Sequence, residues 1–198
     1  MVHWGYVIKN HIVGNNSSTV SAGGSYMEKL GSIIGLPIVE TETGTQIGEI
    51  GEIVVNVEEA ILFGLIISGS NWFSGENIIT FEEVASVGRD AVMISNHHVI
   101  RSIDTLSIAN YNYYLRDLLN KEIITDGGLR LGILTNIMIN SVTGEIKWYE
   151  ISDSMVMDLL YGRMIMPLPQ VQIVGQDKVI VPETMKNFLH EEKVITDE

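Results

Sequence analysis

The sequence predicts an all-β protein built from two small barrels in tandem, with short helical turns between strands. Three observations carry that expectation. A run of glycines and aliphatics occurs twice: Ile47-Gly48-x-Ile50-x-x-Ile53-x-Val55-Asn56 returns as Leu131-Gly132-x-Leu134-x-x-Ile137-x-Ile139-Asn140, 84 positions later. Further on, Val84-x-x-Val87-Gly88-x-Asp90 returns as Val171-x-x-Val174-Gly175-x-Asp177, 87 positions later. Around both motifs, β-branched runs of strand length alternate with turn residues, the pattern of many short strands. The repeating unit is too long for a solenoid and about the size of a small domain. A unit that small buries a modest share of its surface, so packing copy against copy would add burial.

In the first copy, residues 37–40 read as a strand and Thr41-Glu42-Thr43-Gly44-Thr45 as a turn, with Gly44 supplying the positive φ that such turns commonly need. Residues 47–55 alternate as a long strand whose glycines mark bends or bulges. Asn56-Val57-Glu58-Glu59 turns the chain into residues 60–68, a strand apolar enough to be covered on both faces. Residues 70–75 form a loop, and 77–80 and 91–95 are further strands, joined through 81–88 by a helical turn and a hairpin.

The second copy repeats the plan with strands at 122–125, 131–140, 146–151, 163–166 and 178–181. Residues 184–193 predict a terminal helix with Met185, Phe188 and Leu189 on one face. The chain therefore divides into a leader (1–26), a first repeat (27–96), a linker (97–117), a second repeat (118–183) and a C-terminal helix or tail (184–198). Small size and many short strands favour closure of each repeat into a barrel.

The leader is unlike the rest. It holds Lys9 and no acid, whereas the remainder of the chain carries all 25 acidic residues. Two readings stand side by side: a flexible extension rich in Asn, Ser and Gly, or a misassigned start with translation beginning at Met27.

Composition narrows the function classes. A hydrophobic content of 45% excludes wholesale disorder. The longest apolar run, residues 61–67, falls far short of the ~20 residues a membrane helix requires. No basic flank leads into an apolar core at the N-terminus, and there is no cysteine for disulfides, thiolate chemistry or metal ligation. These features predict a cytoplasmic protein. The net charge is −13, with 3 basic and 12 acidic residues in 27–104 against 8 and 13 in 105–198. Nucleic-acid backbones require a basic face, so the charge argues against direct nucleic-acid binding. Arg116, Lys121, Arg130, Lys147 and Arg163 could form a local basic patch in the second half, but solvated surface charge is the better reading of them.

Taken together, Gly35-Leu36-Pro37-Ile38-Val39, Gly44, the Ile47–Val55 motif and Ile79-x-Phe81-x-x-Val84-x-x-Val87-Gly88-x-Asp90-Ala91-Val92 resemble the PRC-barrel domain. The resemblance covers about residues 30–95 and 118–182. Two PRC-type barrels in tandem are what it implies. The family includes the cytoplasmic part of the photosynthetic reaction-centre H subunit, the C-terminal domain of a ribosome maturation factor and small stand-alone proteins. These barrels are not known as catalysts, so the resemblance carries over no catalytic residue. The second copy departs from the pattern at Asn120-Lys121-Glu122, where Gly-x-Pro is absent, and has three extra residues before Arg163.

The residues themselves offer little chemistry. His97 and His98 are adjacent, and on an extended chain adjacent side chains point to opposite faces, a poor arrangement for chelation. Glu58-Glu59 and Glu82-Glu83 lie at turns with no apolar pocket to perturb them. Gly44-x-x-x-Gly48-x-x-Gly51 lacks the order and the adjacent lysine of a phosphate-binding loop, and no nucleophile elbow is present. No catalytic, metal or cofactor-binding residue is therefore expected, and no cofactor. Two apolar loops are candidates for a partner interface: Trp72 and Phe73 in the first copy, and Met155, Met157, Leu159, Leu160 and Tyr161 in the second. They either face a partner, or cap their own barrels or pack copy against copy.

The expected function is that of a non-enzymatic protein-interaction adaptor or assembly factor, with homo-oligomerisation left open. A ribosome-associated maturation role, through a basic ribosomal protein, is the alternative. A photosynthetic electron-transfer accessory is the least favoured of the three.

Overall fold

A computed structural model describes residues 27–69, 75–103, 112–152, 163–170 and 172–191. The first half contains β1 (Met27–Lys29), α1 (Leu30–Ile33), β2 (Pro37–Glu40), β3 (Gln46–Asn56), β4 (Ile61–Ser68), β5 (Asn77–Thr80), β6 (Val84–Val87), β7 (Val92–Ile94) and β8 (Arg101–Ser102). The second contains β9 (Asn112–Tyr114), α2 (Leu115–Leu118), β10 (Glu122–Thr125), β11 (Arg130–Asn140), β12 (Ile146–Ser152), β13 (Met164–Pro167), β14 (Ile173–Val174), β15 (Lys178–Val181) and β16 (His190–Glu191). Single 3₁₀ turns follow β5 and β7, at Phe81–Glu83 and His97–Val99.

These strands form two curled sheets of one topology. One runs β6-β7-β2-β3-β4-β5-β8 and the other β14-β15-β10-β11-β12-β13-β16. In each, one neighbouring pair is parallel, β2 with β7 and β10 with β15, and the other pairs are antiparallel. The architecture is two PRC-type β-barrels in tandem, as the repeated motif predicts. The long strands β3 and β11 each carry bulges, Ile47 and Leu131 being skipped in the pairing with β2 and β10. Gly51 is skipped between the pairs Ile50↔Ile67 and Glu52↔Ile66, and Thr135 between Leu134↔Ile151 and Asn136↔Glu150. Strand β4 is covered on both faces: Leu62, Leu65 and Ile67 join the main core, while Ile66 joins a smaller cluster with Val54 and Ile78.

The sheets are joined by exchange. Strand β1 pairs not with its own repeat but with β11 of the second, in the register Met27↔Asn140, Glu28↔Ile139 and Lys29↔Met138. Strand β9 reciprocates on β3, with Asn112↔Asn56, Tyr113↔Val55 and Tyr114↔Val54. Each short helix follows its strand, burying Leu30 and Ile33 in one case and Leu115 and Leu118 in the other. One continuous apolar core results, holding residues of both helices and both barrels.

A direct backbone junction completes the exchange. Ile61 forms an isolated antiparallel bridge with Glu145, its counterpart 84 positions on. Around it, Leu62 N–H donates to Gly144 O at 2.8 Å, and Ile146 N–H donates to Ala60 O at 2.8 Å. The two bonds interconvert under the same offset, so a pseudo-two-fold axis passes through the bridge.

Two local expectations differ from the structure. The terminal helix expected over 184–193 is instead a 3₁₀ segment, Glu183–Phe188, after which His190 and Glu191 pair with Ile165 and Met164. Met185 is buried and Leu189 packs on the core, but Phe188 is exposed. Sheet pairing and the tight i→i+3 turn after Pro182 override the helical spacing. Between the barrels, residues 97–117 include β8, β9 and α2, all of them packed against the first barrel or its sheet.

Candidate functional site

The exchange leaves a cleft of about 680 Å³ where the two barrels meet. One wall is the turn after β3, with Val57, Glu58 and Ala60, joined by Tyr113 of β9. The facing wall is the segment from β13 to β14, with Leu168, Pro169, Gln172 and Ile173. Asn56 shapes the first wall: its Oδ1 accepts from the amides of Glu58 and Glu59 at 3.1 and 2.8 Å. The second wall is held by Tyr149, whose hydroxyl donates to Gln172 Oε1 at 3.0 Å. Burial pushes the Tyr149 hydroxyl up to about 12, so it remains a donor at neutral pH. Ile173 is 60% exposed, and β14 is the end strand of its sheet. Glu58 is the one charged side chain among the described lining residues.

The pseudo-two-fold axis generates a counterpart of this cleft, and the two sites differ. Ala60 corresponds to Gly144 and Leu168 to Phe81, by the 84- and 87-residue offsets of the repeats. On the counterpart side the Phe81 ring lies against Gly144, close enough that a Cβ on that glycine would stand 2.6 Å from the ring. Gly144 has φ +73°, and Ala60 adopts the same left-handed region at φ +56°. The backbone geometry is thus shared, while the aromatic that covers it is present on one side only. A smaller recess of about 310 Å³ remains beside Phe81.

The loops carrying Trp72, Phe73, Met155, Met157, Leu159, Leu160 and Tyr161 lie outside the described residues. The cleft was not legible as a site in the sequence, because its walls come from opposite ends of the chain. The one available signal is the substitution between copies, Leu168 where the repeat has Phe81.

The histidine pair does not sit on extended chain. His97 and His98 belong to a 3₁₀ turn capped by Asn96, and their ring centroids are 4.3 Å apart. His97 faces Glu40: its amide donates to Oε1 at 2.5 Å and its Nδ1 lies 2.8 Å from the same oxygen. Among the described residues, no three His, Cys, Asp or Glu side chains converge as metal ligands. The five cations that could form a basic patch are each engaged: Arg116 with Glu52, Arg130 with Glu122, Lys147 with Glu145, Arg163 with Glu150, and Lys121 with the carbonyls of Gly175 and Gln176. No helix among the described residues is long and apolar enough to cross a membrane.

Two strand-exchanged small β-barrels with an apolar cleft at their junction define a duplicated barrel scaffold. The PRC-barrel domain family model matches residues 27–99 and again residues 112–187, and the chain belongs to that family. The matched segments begin at or next to the exchanged strands β1 and β9, so the exchanged strand and helix are part of the family unit. No match is found among curated proteins.

Proposed function

We propose that this protein is a non-enzymatic adaptor or assembly factor that acts in the cytoplasm by binding other proteins. The observation that supports this most is the cleft between the barrels, walled by apolar side chains and two amide-bearing glutamines, with Ile173 presented to solvent at its rim. Clefts of this kind at the junction of two units suit side chains of a polypeptide partner. The charge of −13 favours a partner with a basic surface. The same charge supports the second reading, contact with a basic ribosomal protein during ribosome maturation.

Affinity capture of the tagged full chain from its native host, at low and at moderate salt, tests both readings. The expected result is a protein recovered in stoichiometric amount whose retention weakens with salt. Trp72→Ala or Met157→Asp should reduce that retention and leave cooperative melting intact if those loops take part. Melting that loses its cooperativity instead would assign them to the cores. Nothing retained above a control at either salt removes the adaptor reading; co-sedimentation with ribosomal subunits would select the second one.

A further inference from the structure

We propose that the cleft between Ala60 and Leu168 binds an aromatic side chain of a partner peptide that carries neighbouring lysine or arginine. This deepens the adaptor reading and rests on it. The two sites that the pseudo-two-fold axis relates differ in what covers the junction turn. At the counterpart, the positive-φ residue of the junction turn is Gly144, and the Phe81 ring of the same chain lies on it. Here the equivalent turn presents Ala60, and the residue equivalent to Phe81 is Leu168, whose side chain is smaller and not flat. About 680 Å³ stays open.

The walls are matched to a ring. Val57, Tyr113, Leu168 and Ile173 offer apolar and aromatic contact. Gln170 is exposed, and Gln172 is oriented by the Tyr149 hydroxyl, so amide groups border the opening. Among the described residues, strand β14 ends its sheet and pairs only with β15, so an extended backbone has main-chain groups to meet on its other side.

Charge sets the flanking residues. Glu58 is the one charged side chain on the described lining, and it is exposed. A single carboxylate on a lining otherwise free of charge among the described residues favours cationic neighbours on the peptide and disfavours acidic ones.

The test is an NMR titration of the ¹⁵N-labelled full chain with three capped tetrapeptides: Lys-Phe-Val-Lys, Lys-Ala-Val-Lys and Glu-Phe-Val-Glu. The expected result is saturable shifts at Val57, Glu58, Ala60, Tyr113 and Ile173 with the first peptide, and binding weaker by about tenfold or more with each of the others. Leu168→Phe places in this cleft the ring that Phe81 supplies on the counterpart side. It should keep a dispersed spectrum and lose the shifts. Ile173→Lys, at an exposed rim position, should weaken binding by removing an apolar contact and repelling the cationic peptide, without touching the core, and serves if Leu168→Phe does not fold. Absence of shifts at these positions, as when another segment of the chain fills the cleft, overturns the proposal. So does equal binding of the alanine peptide, or shifts that persist in folded Leu168→Phe. A captured partner whose binding is unchanged by Leu168→Phe and Ile173→Lys would leave the adaptor reading standing and place recognition elsewhere.

Discussion

Three carboxylates among the described residues are buried, Glu40, Glu52 and Glu150, and each has a partner on another segment of the chain. Burying a charge is costly unless it is paired and hydrogen-bonded, so these pairings hold particular segments in place. Glu150 receives Lys29 from β1, 2.5 Å from Oε1, and Arg163 from the start of β13, 3.1 Å from Oε2. Glu40 receives Thr43 Oγ1 at 2.6 Å and the amide of His97 at 2.5 Å, tying β2 to the turn after β7. The Thr43 hydroxyl, ahead of the His97 contacts, holds the Glu40 carboxyl below its ordinary value of 4.5 against the opposing effect of desolvation. Although Glu40 exposes only 3% of its surface, its hydrogen bonds with Thr43 and His97 prevail over desolvation. A depressed carboxyl contributes stability that is full above the unfolded value and is lost as pH falls through the folded one. Urea unfolding of wild type and Glu40→Gln should therefore differ most above the ordinary value of 4.5 and converge below it. A difference that stays constant from about pH 6 to about pH 3 would contradict this assignment. In Thr43→Ala, the Glu40 carboxyl should titrate closer to its ordinary value, read by carboxyl chemical shift.

At the scale of elements, the exchanged strands carry the least local information and the most connectivity. The long strands, the Gly44 turn and the doubly covered β4 were legible because their β-branched runs and turn residues act locally. Strands β1 and β9 were not, since each is three residues long and its partner lies in the other repeat. The terminal helix failed for the opposite reason: its spacing is helical, but His190 and Glu191 find a sheet edge. The cleft depended on those same non-local contacts and so stayed invisible. How each exchanged segment is anchored differs in chemistry but not in place. Gly31 N–H donates to Asn136 Oδ1 at 3.1 Å, and at the equivalent position Arg116 Nη1 donates to Glu52 Oε2 at 3.1 Å while stacking 4.3 Å over the Tyr114 ring. Asn136 and Glu52 both fold back to accept their own next amide, those of Ile137 and Ile53, at 2.9 Å. Arg116 is 59% exposed, so solvent screens much of its charge, and Arg116→Ala should cost about 1 kcal/mol. Hydrogen exchange should speed up about fivefold in the β9 amides and stay unchanged in those of β1, which docks on the other barrel. Equal acceleration of both strands would show that the anchor acts globally rather than on its own segment.

Across the whole molecule, exchange makes each barrel incomplete without the other. The β1–α1 segment supplies Leu30 and Ile33 to a core shared with β11, and the β9–α2 segment supplies Leu115 and Leu118 to one shared with β3. The Ile61–Glu145 bridge and its two flanking hydrogen bonds lie at the centre of this association. A small barrel alone has a marginal core, and here the missing burial comes from its neighbour. The covalent connection between the halves should then be dispensable once the protein has folded. A protease site introduced between residues 103 and 112, cut under native conditions, should leave two fragments that co-elute on gel filtration at the size of the intact chain. Their unfolding in urea should become dependent on protein concentration, because dissociation now accompanies it. The uncut chain should melt in one transition, with no separate step for either barrel. Fragments that separate while each keeps a dispersed spectrum would show that the barrels are independent domains and that the exchanged strands are accessory to their folding.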